Sequence, residues 1–178
     1  LYVTALQYVV SNADQLKTDS LMRELGAVAA ELAGKAGAKE AADPLWDLFK
    51  TNQETLVRMT ILRALGDIAS PEDQTVVRIN DWVTKQNAAF RAGADPDFQV
   101  LEVAVEALGK IGDPSAIPAL ESKTSDEYWR ARANAYKAIE NIKKSNSPNP
   151  KKEPTPHEVQ RTLERALENL RKELKTPE

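Results

Sequence analysis

The stretch that decides the fold reads Ala107-Leu108-Gly109-Lys110-Ile111-Gly112-Asp113-Pro114-Ser115-Ala116-Ile117-Pro118-Ala119-Leu120. Its first half closes a run with apolar residues at Leu101, Val105, Leu108 and Ile111, steps of three and four that lay one stripe along a helix. The Gly112-Asp113-Pro114 turn then ends that helix and caps the next, so a two-residue connection reverses the chain. Gly109 sits inside the helix at a cost of up to about 1 kcal/mol, which close approach of a neighbouring helix would offset.

Working outward, the same signature recurs. Val57-Arg58 followed by Ala64-Leu65-Gly66-Asp67-Ile68 matches Val100-Leu101 followed by Ala107-Leu108-Gly109-Lys110-Ile111 at an offset of 43. Ala131-Arg132 followed by Ala138-Ile139-Glu140-Asn141-Ile142 comes 31 residues further on. Upstream, Glu24-Leu25-Gly26-Ala27-Val28 fits the frame 40 residues before the Leu65-Gly66 copy. The stripes read Leu21, Leu25, Val28, Leu32; then Val57, Ile61, Leu65, Ile68; then the quoted set; then Tyr136, Ile139, Ile142.

Between these helices lie partner helices at about 1-11, 38-50, 71-92 and 114-123, and strand alternation never persists. Ser70-Pro71, Asp95-Pro96, Asp113-Pro114 and Thr155-Pro156 have the form of helix starts, the last with Glu158 completing a capping box. A helix pair cannot bury its stripe alone, so four pairs over 1-144 stack into one core. The third pair is about 12 residues longer than the copy after it. Val76, Ile79, Val83 and Phe90 keep one apolar face along its first helix with Trp82 beside it, and the extra turns are expected to protrude.

On these residues, above all 107-120, the chain resembles the bacterial HEAT repeat of the phycobilisome-lyase type. The resemblance spans about residues 1-144 and implies an all-α, right-handed α-α superhelix of about four helix pairs. It is weakest over the first copy; Thr75 stands where the family has proline and Glu140 where it has glycine. It speaks to fold rather than to activity.

Composition narrows the function. With 24 basic and 27 acidic side chains the net charge is −3, and the positive field that rewards a nucleic-acid backbone is missing. No cysteine is present, which excludes a disulfide framework, a thiolate metal site and a cysteine nucleophile. No apolar run approaches the roughly 20 residues that cross a bilayer, so a soluble chain is expected. It opens at Leu1 within an apolar pattern, which suggests missing upstream repeats or a removed leader.

Residues 145-156, Ser-Asn-Ser-Pro-Asn-Pro-Lys-Lys-Glu-Pro-Thr-Pro, read as a stiff linker. A helix over 157-178 follows, striped by Val159, Leu163, Ala166, Leu170 and Leu174, whose apolar face needs cover from the solenoid end or from another chain. Self-association through it is one expectation.

Catalysis finds little to work with. His157, the only histidine, stands in the first turn of that last helix, and Asp126 with Glu127 or Glu72 with Asp73 fit helix caps. Gly26, Gly34 and Gly37 lack the lysine and hydroxyl of a phosphate loop. No enzyme activity, cofactor or metal is expected.

Repeat registration instead nominates a surface: Arg63, Glu106 and Lys137 align on successive second helices, as do Thr60, Val103 and Asn134. Second helices line the inner face of a solenoid, so this ridge is the expected groove for a protein or peptide partner. Trp82 and Phe90 on the long helix are added as anchors, since exposed aromatics are preferred at interfaces; Trp46 is expected in the core. The family resemblance leaves two rivals, a phycobilin lyase-like enzyme and a nucleic-acid-binding HEAT-like protein.

Overall fold

A computed structural model describes residues 1–123 and 129–147. The chain divides into two compact units, Leu1–Asn146 and Ser147–Glu178. Residues 148–156 of the expected linker, the capping box at Thr155, His157 and the final helix lie outside the described residues, as do Asp126 and Glu127; Ser145, expected to open the linker, instead closes the helix Trp129–Ser145.

Unit one is built of α1 (Tyr2–Ser11), α2 (Ser20–Lys35), α3 (Ala42–Thr51), α4 (Thr55–Ile68), α5 (Gln74–Arg91), α6 (Phe98–Ile111), α7 (Ile117–Glu121) and α8 (Trp129–Ser145), with short 3-10 turns ahead of α2, α3 and α7. They pair as α1/α2, α3/α4, α5/α6 and α7/α8. The first members touch one another in sequence and the second members do likewise, giving two stacked layers of helices. The fold is an all-α solenoid.

The core lies between the layers. Val57, Ile61, Leu65 and Ile68 are buried, as are Leu101, Val105, Leu108 and Ile111, and Ile139 with Ile142. Within the second layer a ladder of small residues fixes the spacing. A Cβ on Gly66 would stand 3.1 Å from Cα of Ala107, and one on Gly109 only 2.7 Å from Cα of Ala138. Backbones this close gain contacts that a side chain would forbid, which offsets the propensity cost of glycine in mid-helix. Asp67 and Lys110 pair across the α4–α6 contact.

The first copy corrects the reading of the sequence. A Cβ on Gly34, not on Gly26, would meet Cα of Ala64, at 2.9 Å. Gly34, Gly66 and Gly109 are therefore the equivalent positions, and the register between α2 and α4 is 32 residues rather than 40. The stripe assigned to this helix accordingly faces outward: Leu21, Leu25, Val28 and Leu32 are 73, 40, 47 and 48% exposed. The buried side is made of Met22, Gly26, Ala29, Ala30, Ala33 and Gly34. Tyr136 is likewise exposed, and Ala135 and Ala138 hold the buried side of α8 with Ile139 and Ile142.

Two helix starts shift by a few residues. Asp113 does cap at Pro114, accepting from the Ser115 amide at 2.8 Å. The cap of α6, though, is Asp97 rather than Asp95, with its carboxylate accepting from the Val100 amide at 3.2 Å. α5 begins at Gln74, because Asp73 turns its carboxylate back to the Ser70 amide at 2.6 Å and holds 70–73 as a turn. α5 also does not stand free. Ile79, Val83 and Asn87 are buried, the Asn87 side chain donates to the Ser122 hydroxyl at 2.8 Å, and Phe90 meets Phe98 edge-on at 5.7 Å. Its extra turns are seated on the following pair, so the expected protruding ridge is absent.

Candidate functional site

The second helices carry the site. On a helix, residues three and four apart share a face, so the side of α4 bearing Leu56, Met59 and Arg63 continues onto α6 as Gln99, Glu102 and Glu106. Each follows its counterpart by 43 residues. These positions stand one to two residues off the buried stripe, on the flank of each helix turned away from the core. Between them opens a cleft of about 660 Å³, lined also by Phe98 and by Arg130 of α8. Val103, 4% exposed, forms its floor.

Leu56 is the unusual member. It is 69% exposed beside the half-buried Met59, which gives the cleft an apolar strip flanked by Arg63 and Arg130 on one hand and by Glu102 and Glu106 on the other. A second depression of about 340 Å³ adjoins it between α6 and α8, where Glu106, Asn134 and Lys137 meet. Chemically this is a surface for burying one or two apolar side chains while charged groups of both signs fix their direction. No group of three or more His, Asp or Glu able to hold a metal occurs among the described residues.

Of the residues nominated from sequence, the structure brings Arg63, Val103 and Glu106 into the larger cleft and Glu106, Asn134 and Lys137 into the smaller. Thr60 is half-exposed on the same helix, and its hydroxyl donates to the Leu56 carbonyl at 3.0 Å. Trp82 and Phe90 do not join them. Trp82 packs edge-on to Phe49 at 5.3 Å, Trp46 stacks on Phe49 at 5.1 Å, and the Arg58 guanidinium lies over both Phe49 and Trp82. Burial pulls the Arg58 guanidinium below its ordinary value, with the nearby Asp97 carboxylate opposing the shift. Trp82 is thus an internal strut of α3, α4 and α5, half-buried instead of presented as an anchor. Phe90 approaches the cleft only through Phe98, with the Lys123 ammonium over its other side at 5.7 Å.

Leu56, Met59, Phe98, Gln99, Glu102 and Arg130 went unread. The signal was there: Leu56, Gln99 and Arg130 recur at the offsets that align Arg63, Glu106 and Lys137. With the corrected 32-residue register, Glu31 precedes Arg63 on the ridge. The order Glu31, Arg63, Glu106, Lys137 then alternates in sign from helix to helix. Glu31 also takes an ion pair from Lys35 at 2.5 Å, which holds its carboxyl below the usual range.

Residues 87–170 match the family model for HEAT repeats. No curated protein matches the chain. Repeats of this family generally serve as scaffolds for protein–protein contact.

Proposed function

We propose that this HEAT-repeat protein is a non-catalytic scaffold that holds a segment of a protein partner in the cleft across α4, α6 and α8. The observation that carries the reading is the exposed apolar strip of Leu56 and Met59 over Val103, ringed by Arg63, Glu102, Glu106 and Arg130. Such a centre, apolar within a polar rim, is the arrangement in which a few buried side chains supply most of the binding energy. The alternating charges of the ridge support a polypeptide ligand, since a phosphate backbone is rewarded by an unbroken positive track. The finer likeness to phycobilisome-lyase-type repeats, and the bacterial source that goes with it, rest on 107-120; neither supplies a reactive group to the cleft. Self-association through the stripe of 157-178 is a separate reading, supported by the sequence pattern alone.

Panning a random peptide library against the full chain tests the cleft. Binders carrying an aliphatic or aromatic anchor should lose about tenfold or more in affinity, roughly 1.4 kcal/mol, for Leu56→Asp/Met59→Asp and keep it for Val77→Asp on α5. Binders indifferent to the α4 pair would exclude this cleft.

A further inference from the structure

The outward side of α2 carries apolar side chains that the cleft does not use. Leu21, Leu25, Val28 and Leu32 make an exposed row, and Tyr8 on the neighbouring α1 is exposed as well. At 3.6 residues per turn the four lie roughly 120–180° around the helix from Gly34, which is the point of contact with α4. They therefore cover the end face of the stack.

We propose that this end face joins a second copy of the chain, with α2 running antiparallel to its equivalent across a two-fold axis. Three observations favour that occupant. The first is spacing: the steps from 21 to 25 to 28 to 32 are four, three and four. They average about 3.7, close to the 3.6 residues of one helical turn, so the row keeps to one side of α2. The pattern also reads the same in both directions, so about a two-fold axis Leu21 of one copy meets Leu32 of the other and Leu25 meets Val28. Self-complementarity of this kind is what an isologous contact requires.

The second observation separates a like copy from one more stacked repeat. Inside the stack, the residue that receives the preceding helix's glycine is an alanine each time, at Ala64, Ala107 and Ala138. In the 32-residue register, Leu32 stands at that position on α2. A further helix pair stacked in the same way would press its backbone into a leucine side chain. Leucine instead suits the wider separation of two helices that interleave large side chains.

The third is area. The 16 residues of α2 run roughly 24 Å, and with α1 alongside at about 10 Å the face offers on the order of 500 Å² per copy. Two copies then reach about 1,000 Å², the lower bound for a specific interface.

Sedimentation of the full chain from micromolar to several hundred micromolar is the test. A monomer–dimer equilibrium is expected, weakened about tenfold or more by Leu21→Glu/Leu32→Glu, with the helical circular-dichroism spectrum unchanged, and melting unchanged at dilute protein where the monomer prevails, because these side chains are already exposed. Orientation is read with engineered thiols, which are unambiguous in a chain without cysteine. A mixture of the Leu25→Cys and Val28→Cys proteins should oxidise to the mixed disulfide faster than either protein alone to its own. A chain that stays monomeric throughout overturns the proposal. So does a dimer that survives the α2 substitutions, or one dissolved by Leu163→Glu/Leu170→Glu. None of these variants touches the α4–α6 cleft, so failure here leaves the reading of the cleft to its own test.

Discussion

α2 and α6 are built from similar material and come to opposite ends. Both have leucine and valine at helical spacing and both place a glycine against an alanine of the next helix, Gly34 on Ala64 and Gly109 on Ala138. In α6 the large residues face the core and small ones face both stacked neighbours. In α2 the large residues Leu21, Leu25, Val28 and Leu32 turn outward and, Met22 apart, the buried side is alanine and glycine. An apolar stripe therefore shows that a helix has a face to cover, but the small residues show where the rest of the stack lies.

The sharpest way to break that comparison is to truncate one leucine of each helix. Leu108 is fully buried, and Leu108→Ala should cost about 2–5 kcal/mol through lost burial and a residual cavity. Leu25→Ala removes a side chain that is 40% exposed on the side of α2 turned away from α4 and should stay within about 1 kcal/mol at dilute protein. Urea melts of both variants decide it: equal losses would mean that α2 is turned the other way.

Adding a methyl group tests the opposite face. Gly109→Ala would place Cβ 2.7 Å from Cα of Ala138, against backbone that cannot swing aside, and should destabilise by about 1–3 kcal/mol. Gly26→Ala meets only the ends of the Leu48 and Val9 side chains, at 3.2 and 3.3 Å. These can give way while helix propensity improves, so a change within about 1 kcal/mol of zero is expected. Thermal melts that rank the two glycines alike would remove the argument that Gly34, Gly66 and Gly109 set the register.

How far the sequence could be read follows from the same contrast. Helices α4 and α6 were legible because core periodicity and the Leu-Gly signature coincide there, and Arg63, Val103 and Glu106 reached the cleft through their registration. Leu25-Gly26 imitates Leu65-Gly66 and so shifts the α2 frame, while the true equivalent, Ala33-Gly34, carries alanine where the second and third copies carry leucine. A periodicity argument weights large residues, and only contact distances reveal that small ones carry the packing. Trp82 is misplaced for a related reason: aromatic size marks a residue as energetically important without saying whether its partner is Phe49 or another molecule, whereas Phe90 stays exposed beside Phe98. Leu56 lies outside every core stripe, and only α6 and α8 supply the rest of the cleft that gives it a context.

The smallest expected effect separates two neighbouring acids. Asp95-Pro96 has the form of a helix start, yet the carboxylate that receives the Val100 amide belongs to Asp97, which also accepts from the Thr55 hydroxyl and lies near the half-buried Arg58. Asp97→Ala leaves an amide of the first turn of α6 without its partner and should cost about 1–2 kcal/mol, the range for a lost cap. Asp95→Ala removes an exposed side chain outside the helix and should stay within about 0.5 kcal/mol. Asp97→Asn separates the two roles of the acid. It retains a cap oxygen for Val100 but removes the charge that opposes the desolvation of Arg58, so most of the cap contribution should return. If Asn restored nothing, the charge toward Arg58, and not the cap, would be what ties the start of α6 to α4.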